Sequence, residues 1–182
     1  SVRAKGRKLC QGRAAIPRGG GGHGGDGGSS PDSFSGDGFD GGRGFAGSDI
    51  TIVNEGEGAV DIEVATGTFK SGTIDLTGSD GTEKDAISFG EDTKLVKSDI
   101  TLGADAELNF ETSKVQELTI TSAGDGSLDL NVAKGSFKKS TIDLSEGTSQ
   151  DSISFGGDTK VIKTQISLGA GKDTVTFDEG IK

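Results

Sequence analysis

Apolar and polar residues alternate in short stretches along residues 48–182, and polar turns separate the stretches. The clearest example is QISLGAGKDTVTF, residues 165–177, in which Ile166 and Leu168 share one side of a first strand. Val175 and Phe177 return to the same side after the turn. Alternation with a period of two residues is typical of β-strands that bury one face. The pattern therefore predicts a strand, a tight turn and a second strand.

The same pattern recurs upstream, because the chain contains a tandem duplication. Residues 48–69 align without gaps on residues 116–137, at an offset of 68 residues. Residues 90–110 align on residues 156–177 with one insertion. The repeat predicts two units of about 66 residues, 48–115 and 116–182, each divided into three coils of about 22 residues.

Inward-facing positions recur as two apolar pairs in each coil. The first pairs are Ile50/Ile52, Ile74/Leu76, Ile100/Leu102, Leu118/Ile120, Ile142/Leu144 and Ile166/Leu168. The second pairs are Ile62/Val64, Ile87/Phe89, Leu108/Phe110, Leu130/Val132, Ile153/Phe155 and Val175/Phe177. A third segment carries Phe69, Leu95/Val96, Val115, Phe137 and Val161/Ile162. Coils stacked in parallel bury such columns and pair their backbones with the coils above and below.

These columns predict an all-β fold, a three-sided parallel β-helix or solenoid of about six coils over residues 48–182. Two tandem β-sandwiches of about 66 residues each are the competing interpretation. The solenoid is favoured because every coil keeps both apolar pairs.

Residues 1–47 differ in composition and are predicted to form an arm that precedes the solenoid. Residues 1–18 contain no acidic residue and six basic ones, which are Arg3, Lys5, Arg7, Lys8, Arg13 and Arg18. Residues 19–47 are rich in glycine and include Phe34, Phe39 and Phe45. The favoured interpretation is a Gly-rich, extended tether whose basic and aromatic residues anchor the protein to a partner. A disordered basic terminus is the alternative.

Charge is distributed unevenly between the arm and the predicted solenoid. The formal net charge is −10, and residues 48–182 carry 25 acidic residues against 12 lysines. A surface of this sign repels nucleic acid, so no nucleic-acid partner is expected for the solenoid. No apolar run approaches the length of a membrane span. Cys10 is the only cysteine, so this sequence cannot form an intramolecular disulfide.

One turn is similar to a known calcium-binding repeat. The nonapeptide GAGKDTVTF resembles the glycine- and aspartate-rich repeat of RTX proteins, with Gly169, Gly171 and Asp173 at matching positions. The resemblance implies a parallel β-roll in which Asp173 and its counterparts Asp151 and Asp85 are candidate calcium ligands. The alternative is that these Asp and Gly residues only form turns.

The sequence contains no set of residues typical of an active site. His23 is the only histidine and lies in the Gly-rich segment, so no Ser/His/Asp set is available. Lysines recur at equivalent positions of the two units, Lys94 and Lys97 in one and Lys160 and Lys163 in the other. This recurrence favours a solvated edge over a polysaccharide-cleaving site. We therefore expect no enzymatic activity, and no cofactor other than calcium.

A basic arm, a tether and a stiff acidic repeat together favour a non-enzymatic structural protein. We expect an acidic β-solenoid projecting from a larger assembly, as in virion decoration, fibre or knob proteins, and hence a virion location. Other structural proteins and further copies of the chain, for example in a trimer, are the expected partners, because open strand edges aggregate unless they are covered. The alternative is a secreted or cell-surface RTX-like module that binds calcium or acts in adhesion.

Overall fold

The computed structural model describes residues 2–4, 33–35, 45–54, 58–78, 84–103 and 105–182. Within these ranges the chain forms an all-β parallel solenoid of about five turns, without helices. The predicted solenoid is therefore confirmed, and the alternative of two β-sandwiches is wrong. The number of turns is close to the six coils that the spacing predicted.

The strands stack into three columns, which we call the first, second and third ladders. The first ladder consists of β2 (Ser33–Ser35), β4 (Thr51–Val53), β7 (Thr73–Leu76), the C-terminal halves of β9 (Thr93–Leu102) and β11 (Ser113–Ser122), β13 (Thr141–Asp143) and β15 (Gln165–Ser167). The second ladder consists of β1 (Val2–Ala4), β5 (Asp61–Val64), β8 (Asp85–Phe89), β10 (Ala106–Phe110), the N-terminal halves of β12 (Leu128–Lys138) and β14 (Ser152–Ile162), and β16 (Thr174–Phe177). The third ladder consists of β3 (Phe45–Ser48), β6 (Gly67–Lys70) and the remaining halves of β9, β11, β12 and β14.

The second ladder has the register that the sequence predicted. Leu130, for example, pairs with Leu108 on one side and with Ile153 on the other. Inward apolar residues of this ladder from Ile62 to Phe155 are at most 2% exposed. The third-ladder column is also confirmed, because the register runs from Phe69 through the predicted positions to Val161.

The first ladder differs from the prediction by two residues in two coils. The structure pairs Ile120 with Ile100 and leaves Leu118 opposite Ser98, whereas the sequence columns had placed Leu118 opposite Ile100. Ile50 is displaced in the same way, because Ile52 takes the predicted place of Ile50. A shift of two residues keeps each side chain on the same face, so alternation alone does not fix this register.

Aromatic side chains connect successive coils inside the core. Phe89 stacks on Phe110 with 4.9 Å between ring centroids, and Phe155 stacks on Phe177 at 5.2 Å. Phe137 from the third ladder lies between these two pairs, with its centroid 5.8 Å from that of Phe110 and 5.9 Å from that of Phe155. Edge-to-face and offset-stacked contacts at these distances are favourable. The phenylalanines therefore form one continuous contact series from Phe89 to the last coil.

Short strands within the predicted arm pair with the first coil. β2, which contains Phe34, lies parallel to β4, and β3, which begins at Phe45, lies parallel to β6. β1 lies antiparallel to β5. The three ladders are thus each extended by one strand from residues 1–48. Covering an edge in this way satisfies backbone groups that would otherwise face solvent or another chain.

Candidate functional site

Only some of the predicted anchoring residues fall in described parts of the chain. Arg3 lies in β1, Phe34 lies in β2, and Phe45 begins β3. The others lie outside the described residues, and they are Lys5, Arg7, Lys8, Arg13, Arg18 and Phe39. The anchoring role of this set stays a prediction.

An acidic groove, which sequence reasoning did not single out, crosses the outer face of the first three coils. It has a volume of about 560 Å³ and is lined by Asp61, Glu63, Ala65, Ser88, Gly90, Glu91 and Glu111. Four of these residues are carboxylates, and the other three are small. The ion pairs of the described residues involve other acids, such as Glu107 and Asp129 with Lys84. The groove is therefore a concentrated negative surface beside β5.

The three candidate calcium ligands lie in one column at the start of the second ladder. The register places Asp85, Ala106, Leu128, Asp151 and Asp173 at successive levels of this column. Asp151 and Asp173 are therefore neighbours, whereas two other coils lie between Asp85 and Asp151. Neighbouring strands are about 4.8 Å apart, which separates Asp85 from Asp151 by roughly 14 Å. The three carboxylates cannot share a single ion.

Each of these carboxylates accepts a hydrogen bond from the backbone of the preceding coil. The Val60 amide donates to Asp85 Oδ1 at 2.8 Å. The Leu128 amide donates to Asp151 Oδ1 at 2.8 Å, and the Asp151 amide donates to Asp173 Oδ1 at 3.0 Å. Asp85 and Asp151 are also buried. The aspartates therefore link successive coils where the second-ladder strands begin.

The electrostatic surroundings of Asp151 fit this structural role. Burial raises the pKa of the Asp151 carboxyl, the hydrogen bond from Leu128 opposes the shift, and the Asp173 charge adds to it. The described residues contain no group of three or more His, Cys, Asp or Glu side chains arranged to hold a metal ion. Calcium binding by Asp85, Asp151 and Asp173 thus stays a prediction, while their bonds to the neighbouring backbone are observed.

Two substitutions at Asp151 separate the contribution of its backbone hydrogen bond to stability from the contribution of its charge. Asp151→Ala should lower the free energy of unfolding by about 1–3 kcal/mol, because the buried Leu128 amide loses its acceptor. Asp151→Asn keeps an acceptor oxygen and should be at least as stable as the wild type at neutral pH. Urea unfolding of the three proteins measures the difference.

The pH dependence of stability gives a second readout for Asp151. The folded-state pKa is raised, so the folded state binds the proton more tightly than the unfolded state does. Wild-type stability should therefore fall, relative to Asp151→Asn, as the pH rises from the ordinary value of 3.8 through the folded pKa. Parallel pH profiles would contradict this account. A calcium-induced rise in the unfolding midpoint that Asp151→Asn abolishes would instead identify a calcium ligand.

The last coil of residues 48–182 presents apolar side chains on strands that each have one described partner. Among the described residues, β15 pairs only with β13, and β16 pairs only with β14. Phe177 is 52% exposed, although its ring also stacks on Phe155. Ile166, Leu168 and Val175 are only partly buried. We call Ile166, Leu168, Val175 and Phe177 the C-terminal face, which combines open backbone edges with apolar surface.

Comparison with known protein families, with curated proteins and with solved structures finds no match for this chain. The described ranges hold no helix with the length and apolar character that a membrane crossing requires. The fold defines the chain as a parallel β-solenoid repeat protein. Its function has to be argued from the surfaces described above.

Proposed function

We propose that the protein is a non-enzymatic structural module, an acidic β-solenoid that packs end-on against another subunit of a larger assembly. The observation that supports this proposal most directly is the C-terminal face, where β15 and β16 each pair with only one described strand and Phe177 is 52% exposed. Open strand edges pair readily with other chains, and exposed apolar surface beside them adds burial on association.

The strands within the arm support attachment through the opposite end of the solenoid. β1, β2 and β3 extend the three ladders at the N-terminal side, so these parts of the arm pair within the chain itself. The proposal therefore moves the main point of attachment from the arm to the C-terminal face. A stiff repeat attached at one end projects from its base, and its negative flanks repel neighbouring copies. We propose that the assembly is a virion and that the protein acts there as a decoration, fibre or knob protein.

Substitution of Phe177 tests the proposed interface in the full-length chain. Phe177→Glu should reduce the native mass of the assembled protein, because a charge replaces the most exposed apolar ring of the C-terminal face. Thr176→Glu is the matched control, since Thr176 is an exposed neighbour on the same strand. Light scattering after size-exclusion chromatography measures the masses. A wild type with the mass of one chain at every concentration would refute the proposal.

Removal of calcium separates the proposal from the RTX-like alternative. The far-ultraviolet circular dichroism and native mass of the wild type should be unchanged in a chelator, because backbone pairs and apolar columns hold the coils together. Loss of β-structure in the chelator, restored by calcium, would favour the calcium-binding alternative.

A further inference from the structure

β1 closes one edge of the second ladder in an unusual orientation. It pairs antiparallel with β5, whereas the other strand pairs of the described ranges are parallel. The register sets Arg3 opposite Glu63 and Ala4 opposite Ile62. β1 therefore adds to the solenoid as a separate segment and is not another turn of the same winding.

The strand that receives β1 also forms one wall of the acidic groove. β5 contributes Asp61 and Glu63, which are both exposed, and the next two coils contribute Glu91 and Glu111. Clefts lined by charges of one sign concentrate ions of the opposite sign. A positively charged segment paired with β5 contacts the strand that carries Asp61 and Glu63, while Glu91 and Glu111 lie on the next two coils and add to the negative potential of the groove.

The charge patterns of the two segments have the same period and opposite signs. The sequence VRAKGRK, residues 2–8, carries a base at every second position, namely Arg3, Lys5 and Arg7. β5 carries acids at Asp61 and Glu63, which alternate with the apolar Ile62 and Val64. Residues directly opposite each other in an antiparallel pair share a face, and opposite charges there are stabilising. The two residues that the observed register sets opposite each other, Arg3 and Glu63, are therefore of opposite charge.

We propose that the β5 edge of the acidic groove is the docking site of the chain's own basic segment, residues 1–8, which adds to β5 as an antiparallel strand. The segment of the same chain is the occupant because its residues 2–4 already pair with this edge. The other open edge of the second ladder, on β16, offers Thr174 and Thr176 at the outward positions where β5 has Asp61 and Glu63. Charge therefore directs the basic segment to β5. This inference is independent of the proposed C-terminal interface.

Disulfide trapping in the full-length chain tests the docking site. In a background with Cys10→Ser, the variant Arg3→Cys/Glu63→Cys places two thiols at directly opposed positions. Opposed residues in an antiparallel pair have Cα atoms about 4.5–5.5 Å apart, within the range that a disulfide spans. The control is Arg3→Cys/Thr176→Cys, because Thr176 holds the same outward position on the last coil. Circular dichroism confirms that both variants are folded.

An intrachain disulfide that forms at least about tenfold faster than in the control is the expected result, since pairing raises the effective concentration of the two thiols. Adding Glu91→Gln and Glu111→Gln, or raising the salt concentration, should slow this reaction if the groove attracts the segment. Equal rates in the test and control variants would overturn the proposal. Disulfide-linked dimers in place of intrachain loops would overturn it in favour of exchange between copies. If neither the two Gln substitutions nor added salt changed the rate of intrachain disulfide formation, the groove would have no role in attracting the segment.

Discussion

Replacing Leu130 by Asp should leave the chain unfolded at neutral pH, with a random-coil spectrum or with the protein in the insoluble fraction. Leu130 is fully buried and pairs with Leu108 and Ile153 in the second ladder. The change removes about 2 kcal/mol of apolar burial. It also buries a carboxylate without a partner, which costs several kcal/mol more. The combined loss approaches the whole stability of an ordinary domain, about 5–15 kcal/mol.

Asp129→Ala is the matched control for this prediction. Asp129 is the adjacent residue, but its side chain is exposed and its Oδ2 lies 3.7 Å from Lys84 Nζ. An exposed ion pair of this kind contributes at most about 1 kcal/mol, so the control should unfold at nearly the wild-type urea concentration. Circular dichroism and urea unfolding of both variants provide the measurement. A soluble Leu130→Asp protein with the wild-type midpoint would be incompatible with the buried column.

The second ladder was predictable because each of its coils carries two apolar residues separated by one polar residue. The turn residues beside each pair then permit only one alignment of the coils. The observed pairing agrees with this alignment, for example between Ile87 and Ile62. In the first ladder Leu118 and Ile120 also form such a pair, but β11 runs into it from Ser113 without a turn, so the pattern alone does not decide which of the two lies opposite Ile100. Both residues face inward, and packing against the neighbouring coils decides which of them pairs with Ile100.

The strands within the arm were less predictable. β2 is the three-residue sequence SFS, and β3 is FAGS, so neither has an alternation long enough to identify a strand. Their pairing depends on the open edges of β4 and β6, which are tertiary features. Such edges recruit short segments that do not form strands on their own.

The three candidate calcium ligands and the acidic groove were predictable only in part. The positions of Asp85, Asp151 and Asp173 followed from the repeat, but turn formers and metal ligands have the same spacing. Only the folded chain shows that each aspartate accepts a backbone hydrogen bond from the preceding coil. The acidic groove had a local signal, the acids that alternate with apolar residues in DIEV. Its relation to Arg3 depends on a register between segments about 60 residues apart in the chain.

Gly72→Leu should be strongly destabilising, by about 3 kcal/mol or more, because it overpacks a filled part of the core. A Cβ atom at position 72 would overlap the ring of Phe69, which is buried. At the level of Gly72, other coils carry Ser98 and Leu118. Gly58→Ala is the control, since a Cβ there meets nothing within 4 Å, and it should change the stability by at most about 0.5 kcal/mol.

A second substitution should restore much of the stability that Gly72→Leu removes. The coil of Gly72 has the large Phe69 in the third ladder. The coil of Leu118 has the smaller Val115 at the same level, so a small residue at one position accompanies a large residue at the other. Phe69→Val alone should cost about 2–4 kcal/mol by leaving a cavity. Phe69→Val/Gly72→Leu recreates the Val115 and Leu118 combination, and a double-mutant cycle should show a favourable coupling of about 1–3 kcal/mol. Urea unfolding of the four proteins gives the coupling. Strictly additive losses would show that the two positions do not share one packing space.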